Sequence, residues 1–323
     1  MGLLEGGRMR RFAKLACACR VAAALGLAPL GGLAGCDGDG SGGSFPGMPG
    51  TSDSPTGAAW AQPADVALPQ TTITAGSTAI DISGTSQGWV SAAAVSSVRL
   101  KFQVITDAGT YNYDLPNDGT PMVYPLNMGN GDYTFRIMQN TEGNSYVPIK
   151  TEKARVTLTT QFAPFLMPGM FCSYTAASDC VAKARELTAE CTNEAEVVAA
   201  ICTWVAKNVS YDTPKAKRLA TATGYVPDPD ETLATGKGIC FDYASLSTAM
   251  LRSLGLPTKL VTGYVGEAAV YHAWIMVYID GTWQTAKFSV SPNEWSRCDV
   301  TFASTGATAY SGDGSAYTDR YTY

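Results

Sequence analysis

The sequence predicts a chain of mixed α+β class, in which a β-rich, sandwich-like domain precedes a domain of helices packed on an antiparallel sheet. From residue 65 to 168, short segments alternate apolar and polar residues and are separated by turn residues, as half-buried strands are. From residue 169 to 323, segments with the apolar period of helices come first and alternating segments follow. Of the 323 residues, 46% are hydrophobic and 16% are charged, so a buried core is feasible.

The first 36 residues have the features of a bacterial export signal. A basic start is followed by the apolar run Val21–Leu30, which is too short to span a bilayer as a stable helix. Leu33–Cys36 then places small residues before a cysteine, similar to the bacterial lipobox, in which the cysteine is lipidated and becomes the mature N-terminus. We expect residues 1–36 to be a lipoprotein signal peptide, with Cys36 lipidated and the chain anchored on the extracytoplasmic face of the cell membrane. The alternative is an ordinary secretory signal cut nearby.

Residues 37–64 are predicted to be a flexible linker. Gly, Ser, Pro and Asp dominate this segment, which therefore buries too little surface to offset its chain entropy. Asp37–Gly40 resembles the start of a calcium loop, but the remaining ligands and the closing glutamate are missing, so a linker is favoured. Met9 is an alternative start to Met1, because Glu5–Gly7 can be encoded by a purine-rich ribosome-binding sequence.

Charge and rare residues exclude several functional classes. The net charge is −5 and no basic block lies beyond the N-terminus, which argues against a nucleic-acid partner. His272 is the single histidine, so a His-rich metal site is excluded, imidazole chemistry depends on this residue, and no cofactor is expected. If one of the six cysteines beyond the export signal is a nucleophile, at least one more is unpaired, and the pairing cannot be read from sequence. The six are Cys172, Cys180, Cys191, Cys202, Cys240 and Cys298.

The β-rich region shows strands but no catalytic grouping. Val98–Ile105 alternates apolar and polar residues, and the turn Gly129–Asp132 leads into a second alternating segment, Tyr133–Met138. Tyr146–Ile149 and Ala154–Thr159 continue the pattern. A binding or spacer role is the working hypothesis, and pure scaffolding is the alternative.

The second domain begins with a clear amphipathic helix. Residues 193–208 carry apolar side chains on one face, and Thr192 is the expected N-cap. Cys202 lies on the apolar face and is interpreted as a small core residue. The polar stretch from Tyr211 to Gly236 is predicted to be a long loop, of the kind that covers or builds a functional site.

Cys240 is predicted to stand at the first turn of the next helix. Glycines precede it, and Gly255 followed by Pro257 ends the apolar-periodic segment. A cysteine there faces unpaired backbone N–H groups and the positive end of the helix dipole, which favour the thiolate and can stabilise an oxyanion. Taken alone, a structural cysteine explains this position equally well. Asp242 is assigned a local role at the helix start.

His272 is predicted to open the second of two strands. Lys259–Tyr264 forms the first, and from His272 to Tyr278 alternate residues share a face. Trp274 lies on the face of His272 and is either a wall of the cleft or a packed core residue. Asp280 is explained by a hairpin turn.

Three motifs in this order resemble the transglutaminase-like branch of the papain-type thiol enzymes. They are Gly-x-Cys-x-Asp-Tyr-Ala at 238–244, Leu-Gly-Leu-Pro at 254–257 and His-Ala-Trp-x-x-Val-Tyr at 272–278, and Asn208–Asp212 also looks like the family's upstream segment. The resemblance implies a papain-like, transglutaminase-like core, with Cys240 as nucleophile and His272 as base.

The family also uses an acid that orients the histidine, four residues after a tryptophan. Counted from Trp283, that position is Lys287, which cannot act as the acid. Counted from Trp295, it is Asp299, and a longer hairpin would absorb the shift between the two anchors. We assign Asp299 as the orienting acid; if Trp283 were the anchor, the triad would be broken.

The implied reaction is attack of the thiolate on an amide, with a thioester intermediate. Transfer of the acyl group to an amine makes a crosslink, whereas transfer to water makes a peptidase or deamidase. The expected partners are protein or peptide substrates, with the cell wall as a further candidate. Two alternatives remain: a catalytically silent surface binding module, motivated by Lys287, and a peptidoglycan-directed hydrolase, motivated by the export signal.

Overall fold

The computed structural model describes residues 68–220, 222–267, 269–279, 283–284, 289–290, 295–305 and 315–323. Predictions for Cys36, the linker 37–64, Asp280 and Lys287 lie outside these ranges. Among the residues described, no helix has both the length and the apolar character needed to cross a membrane.

From residue 68 onwards, the described N-terminal region is built from seven strands. They are β1 (Ala79–Asp81), β2 (Trp89–Ala93), β3 (Leu100–Thr106), β4 (Gly109–Leu115), β5 (Met122–Pro125), β6 (Gly131–Glu142) and β7 (Ser145–Val156). They form two antiparallel sheets, ordered β1-β2-β5 and β4-β3-β6-β7. Buried side chains from both sheets, such as Val90 and Tyr124 from one and Phe102 and Phe135 from the other, meet in one core. The predicted β-rich, sandwich-like domain is therefore confirmed.

Two predicted segments of this domain belong to one strand. Tyr146–Ile149 and the first part of Ala154–Thr159 both lie in β7, which pairs with β6 along its whole length. The pairing shifts register near Pro148, opposite Met138. Proline has no N–H to donate, and β7 is an edge strand, where such a residue is tolerated.

The described part of the second domain contains six helices and a central sheet. The helices are α1 (Asp179–Leu187), α2 (Glu194–Asn208), α3 (Thr213–Leu219), α4 (Pro229–Thr235), α5 (Cys240–Ser253) and α6 (Val300–Thr305). The strands are β8 (Ser210–Tyr211), β9 (Lys237–Gly238), β10 (Thr258–Val265), β11 (Val270–Tyr278), β12 (Trp283–Gln284), β13 (Ser289–Val290), β14 (Trp295–Cys298) and β15 (Tyr317–Thr322). The central sheet is antiparallel with the order β14-β11-β10-β15. Helix α5 packs on β10 and β11, with α1, α2 and α4 against its other sides, which confirms the predicted core of helices on a sheet.

The structure corrects two local predictions. The N-cap of α2 is Asn193, whose side chain accepts from the Glu196 N–H at 3.0 Å, whereas Thr192 donates to the Glu196 carboxylate. The segment from Tyr211 to Gly236 is not one loop, because it contains α3 and α4. Each of these helices has an aspartate N-cap and a proline in its first turn, a local signal that the polar composition obscured.

The last strand joins the two domains. Tyr323 packs edge-on against Phe171, with ring centroids 4.6 Å apart, and against Tyr111 and Tyr113 of β4. The Thr322 N–H donates to the Tyr111 hydroxyl at 3.2 Å. These contacts hold β4 against the sheet that carries His272.

Candidate active site

Cys240 is the first residue of α5 and is half-buried. The turn before it is tightened by Asp242, whose carboxylate accepts from the Ile239 N–H at 2.7 Å. A Cβ at Gly238 would lie 2.6 Å from the Cβ of Asp242, so this close approach requires glycine. The Gly-x-Cys-x-Asp pattern thus places the Cys240 thiol at a helix N-terminus, where the first N–H groups have no partner within the helix.

His272 lies on β11 just beyond the point where β14 stops pairing. The last paired residue of β14 is Cys298, opposite Ile275, and the chain then turns into α6. Asp299 stands at this turn, buried, with its Oδ2 accepting from His272 Nε2 at 2.8 Å. Its Oδ1 accepts from the Phe302 N–H at 3.0 Å, which fixes the carboxylate as the cap of α6.

Cys240 and His272 are neighbours in one cleft. The imidazole is hydrogen-bonded to the Asp299 carboxylate and interacts with the Cys240 thiol, and because Nε2 faces Asp299, Nδ1 is the nitrogen left for the thiol. Burial by itself lowers the pKa of His272, but the charges of Asp299 and Cys240 and the hydrogen bonds to both raise that pKa well above its usual value. The charges and hydrogen bonds around the ring therefore favour its imidazolium form beside the Cys240 sulfur.

The structure thus brings together the three residues singled out in sequence. Trp295 opens β14 and Asp299 follows it, whereas Trp283 lies in a separate two-stranded sheet, β12-β13. The register of β14 against β11 is what puts Asp299 beside His272. Trp274 is buried against Tyr317, with ring centroids 4.9 Å apart, in a small apolar cluster, so it is a packed core residue.

Two further residues hold the imidazole and its acid. The Tyr317 hydroxyl donates to Asp299 Oδ2 at 2.9 Å, so this oxygen has two donors. The Phe302 ring stacks on the His272 ring, with centroids 4.4 Å apart and an interplanar angle of 18°. Sequence reasoning missed both. Phe302 is predictable from sequence, because an N-cap at Asp299 accepts a hydrogen bond from the backbone N–H three residues later. Nothing in the sequence around Tyr317 indicates its contact with Asp299.

A cleft of about 750 Å³ opens at Cys240 and His272. Its walls come from five parts of the chain: β4 of the β-rich domain, residues 170–171, the segment 211–225, the start of α5, and the sheet strands β10, β11 and β15 with the end of the chain. The wall is rich in aromatic side chains; they are Tyr113, Phe171, Tyr211, Tyr225, Phe241, Tyr264, Tyr271 and Tyr323. Since Asn112, Tyr113 and Asp114 line the same cleft, the β-rich domain contributes directly to the site.

A buried carboxylate fastens the wall segment that contains α3. Asp242 is fully buried and pairs with Lys215 Nζ at 2.9 Å while accepting from the Tyr225 hydroxyl. Lys215 also lies 4.8 Å above the Tyr225 ring. The local role predicted for Asp242 therefore extends to holding residues 213–225 against the start of α5.

Comparisons with known proteins agree with this site. Residues 181–288 match the family described as the transglutaminase-like superfamily, a range that includes Cys240 and His272 and ends before Asp299. The chain is 34% identical over 91 residues to UPF0252 protein MJ1282 of Methanocaldococcus jannaschii, covering 26% of each chain. It is 27% identical over 143 residues to the uncharacterized protein ML0607 of Mycobacterium leprae, covering 41% of this chain and 48% of that one. The chain thus spans about a quarter and about half of the lengths of these two relatives.

Solved structures show a weaker likeness. A candidate cysteine protease of Cytophaga hutchinsonii aligns over 73% of this chain and 76% of its own, with 18% identity and a TM-score of 0.39. Because this score is below 0.5, the family match at 181–288 alone supports the assignment of the domain.

Proposed function

We propose, from the premise that residues 181–288 form a domain of the transglutaminase-like superfamily, that this chain is an enzyme that cleaves amide bonds with the thiol of Cys240. The observation that supports it best is the series Cys240–His272–Asp299, in which the chain's single histidine interacts with a helix-start cysteine and is hydrogen-bonded to a buried aspartate. A nucleophile held by a base, which is oriented in turn by an acid, is the arrangement that covalent acyl transfer requires.

The first half-reaction follows from the positions of these groups. The Cys240 sulfur attacks the amide carbonyl carbon, and backbone N–H groups at the start of α5 bind the oxyanion that forms. His272 then donates its Nδ1 proton to the leaving nitrogen, the C–N bond breaks, and ammonia or an amine departs while a thioester remains on the sulfur. Asp299 keeps the other ring proton on Nε2 throughout, so that Nδ1 always faces the thiol.

The second half-reaction decides the product. If water attacks the thioester, the chain is a peptidase or deamidase; if a lysine amine attacks, the product is an isopeptide crosslink. The cleft volume falls within the range of about 300–1,000 Å³ that is common for ligand sites, and its aromatic walls are suited to a peptide side chain next to the scissile amide. Protein or peptide substrates are therefore proposed, with peptidoglycan stem peptides as a second substrate class.

The test runs three assays on the same protein. Fluorescent amine incorporation into glutamine peptides, hydrolysis of protein substrates and release of stem-peptide fragments are measured in parallel. The control variants are Cys240→Ala, which should abolish every activity, and Cys191→Ala, which removes a partly exposed thiol outside the cleft lining. Turnover that survives Cys240→Ala would exclude the proposed mechanism. Tight binding of a protein or cell-wall ligand without any turnover, unaffected by Cys240→Ala, would instead establish a silent binding module.

We also propose that the chain is lipid-anchored outside the cytoplasm through Cys36, on the strength of the lipobox-like Leu33–Cys36. Detergent-phase partitioning of the protein made in bacteria, with mass spectrometry of its N-terminus, tests this. Wild-type protein should carry a lipid on Cys36, and Cys36→Ser should move to the aqueous phase. An unmodified N-terminus produced by cleavage at another position would contradict the anchor.

A further inference from the structure

Two buried cysteines outside the proposed catalytic series face each other. Cys202 lies on α2 and Cys298 ends β14, and both side chains are inaccessible to solvent in the same apolar core. The Cys202 thiol interacts with that of Cys298 within this core. Helix α6, which follows Cys298 after one residue, packs along α2 and keeps the two elements together.

We propose that Cys202 and Cys298 are a disulfide-forming pair that covalently ties α2 to the strand leading into Asp299. Bond formation breaks two S–H bonds and makes one S–S bond. A small-molecule disulfide such as oxidised glutathione accepts the two electrons and the two protons and is released as two thiols.

The other described cysteines have different partners. Cys172 accepts from Arg252 Nη1 at 3.2 Å, and Cys180 interacts with the Asp230 carboxylate. Cys191 lies near Glu196 and is partly exposed, and Cys240 faces His272. The structure thus supplies a pairing where the sequence left the connectivity open.

Burial determines when the bond can form. The interaction with Cys298 and burial raise the pKa of the Cys202 thiol well above its usual value, so Cys202 holds almost no reactive thiolate in the folded chain. Oxidation is therefore expected during folding, before the core closes, and to be slow once the reduced chain has folded. The closed loop contains α5, β10 and β11, and a crosslink over a loop of this length restricts the unfolded chain strongly.

The experiment maps the thiols after refolding in a reduced and oxidised glutathione buffer. Free thiols are blocked with iodoacetamide, and the protein is cut with trypsin and Glu-C, which separates Cys191 from Cys202. The peptide Val197–Lys207 should be joined to Cys298–Arg320, with both peptides restored by reductant. Reduction should lower the Tm by about 5–10 °C in wild type and Cys191→Ala but not in Cys202→Ala.

Two results would overturn the proposal. One is alkylation of both Cys202 and Cys298 after oxidative refolding, and the other is a link from either one to a different cysteine. The peptide map is made on wild-type protein, so it decides the matter even if Cys202→Ala fails to fold. The peptide map is also independent of catalysis, because a catalytically inactive Cys240 would leave the link between the two peptides unchanged.

Discussion

Replacing Asp299 with asparagine is expected to slow thioester formation at Cys240 by about 10³–10⁴-fold while leaving the fold intact. Asparagine has the same shape but only one acceptor oxygen. That oxygen is needed by the Phe302 N–H, which Asp299 Oδ1 now accepts at 3.0 Å. The amide NH₂ then faces His272 Nε2 in place of Oδ2 and donates to it.

This reversal moves the ring proton to the wrong nitrogen. Imidazole that accepts at Nε2 carries its hydrogen on Nδ1, so it cannot take the proton of the Cys240 thiol. Loss of the Asp299 charge also lowers the pKa of His272, because that charge is a main cause of the upward shift. A loss of about 10³–10⁴-fold corresponds to about 4–5.5 kcal/mol of transition-state stabilisation.

The assay is the rate of amide turnover together with the second-order rate of Cys240 alkylation by iodoacetamide between pH 5 and 10. Thermal melting of each variant shows whether it is folded. In the asparagine variant, both rates should fall at neutral pH. Turnover within about threefold of wild type in a folded Asp299→Asn variant would refute the assigned role of the acid.

Three further substitutions test separate parts of the structure. Tyr317→Phe removes one of the two donors to the acid's Oδ2, so kcat should fall about 3–10-fold with KM unchanged; an unchanged kcat would leave this tyrosine with a packing role alone. Burial of Asp81 raises its pKa, but hydrogen bonds from residues 72 and 83 outweigh burial and lower the pKa to about 2. The ionised Asp81 carboxylate therefore stabilises the fold fully above about pH 4, and this stabilisation is lost as the pH falls through 2. Urea unfolding should thus show that Asp81→Asn lowers the free energy of unfolding by up to about 2 kcal/mol at pH 7 and that this difference fades towards pH 2. A difference of the same size at every pH would contradict this role of Asp81. Gly263→Ala would place a Cβ 2.1 Å from the Thr318 carbonyl oxygen and should lower the Tm by several degrees, whereas the control Gly169→Ala has room and should melt like wild type.

The local parts of the site could be predicted from sequence. The helix at Cys240 was expected to end at Gly255, and α5 ends at Ser253 with its C-cap at Leu254. His272 was expected on a strand, and β11 contains it. These predictions succeeded because glycine, proline and the apolar period act within one element.

The long-range parts could not be derived in the same way. Sequence left Trp283 and Trp295 as competing anchors, because the choice depends on which strand pairs with β11. Tyr317 reaches Asp299 from the last strand, where nothing within its own segment marks the contact. Composition also concealed α3 and α4, because short helices with polar residues have little apolar periodicity and are defined mainly by their caps.

The reactivity of Cys240 towards iodoacetamide in the native protein tests the central claim most directly. Mass spectrometry after short exposures at pH 6 gives the alkylation rate of each of the six described cysteines in one experiment. The proposed imidazolium-paired thiol predicts that Cys240 is labelled fastest and that His272→Ala slows it at least tenfold to about the rate of partly exposed Cys191. A Cys240 that is no faster than Cys191, or that is unaffected by His272→Ala, would contradict a thiol enzyme built on this pair.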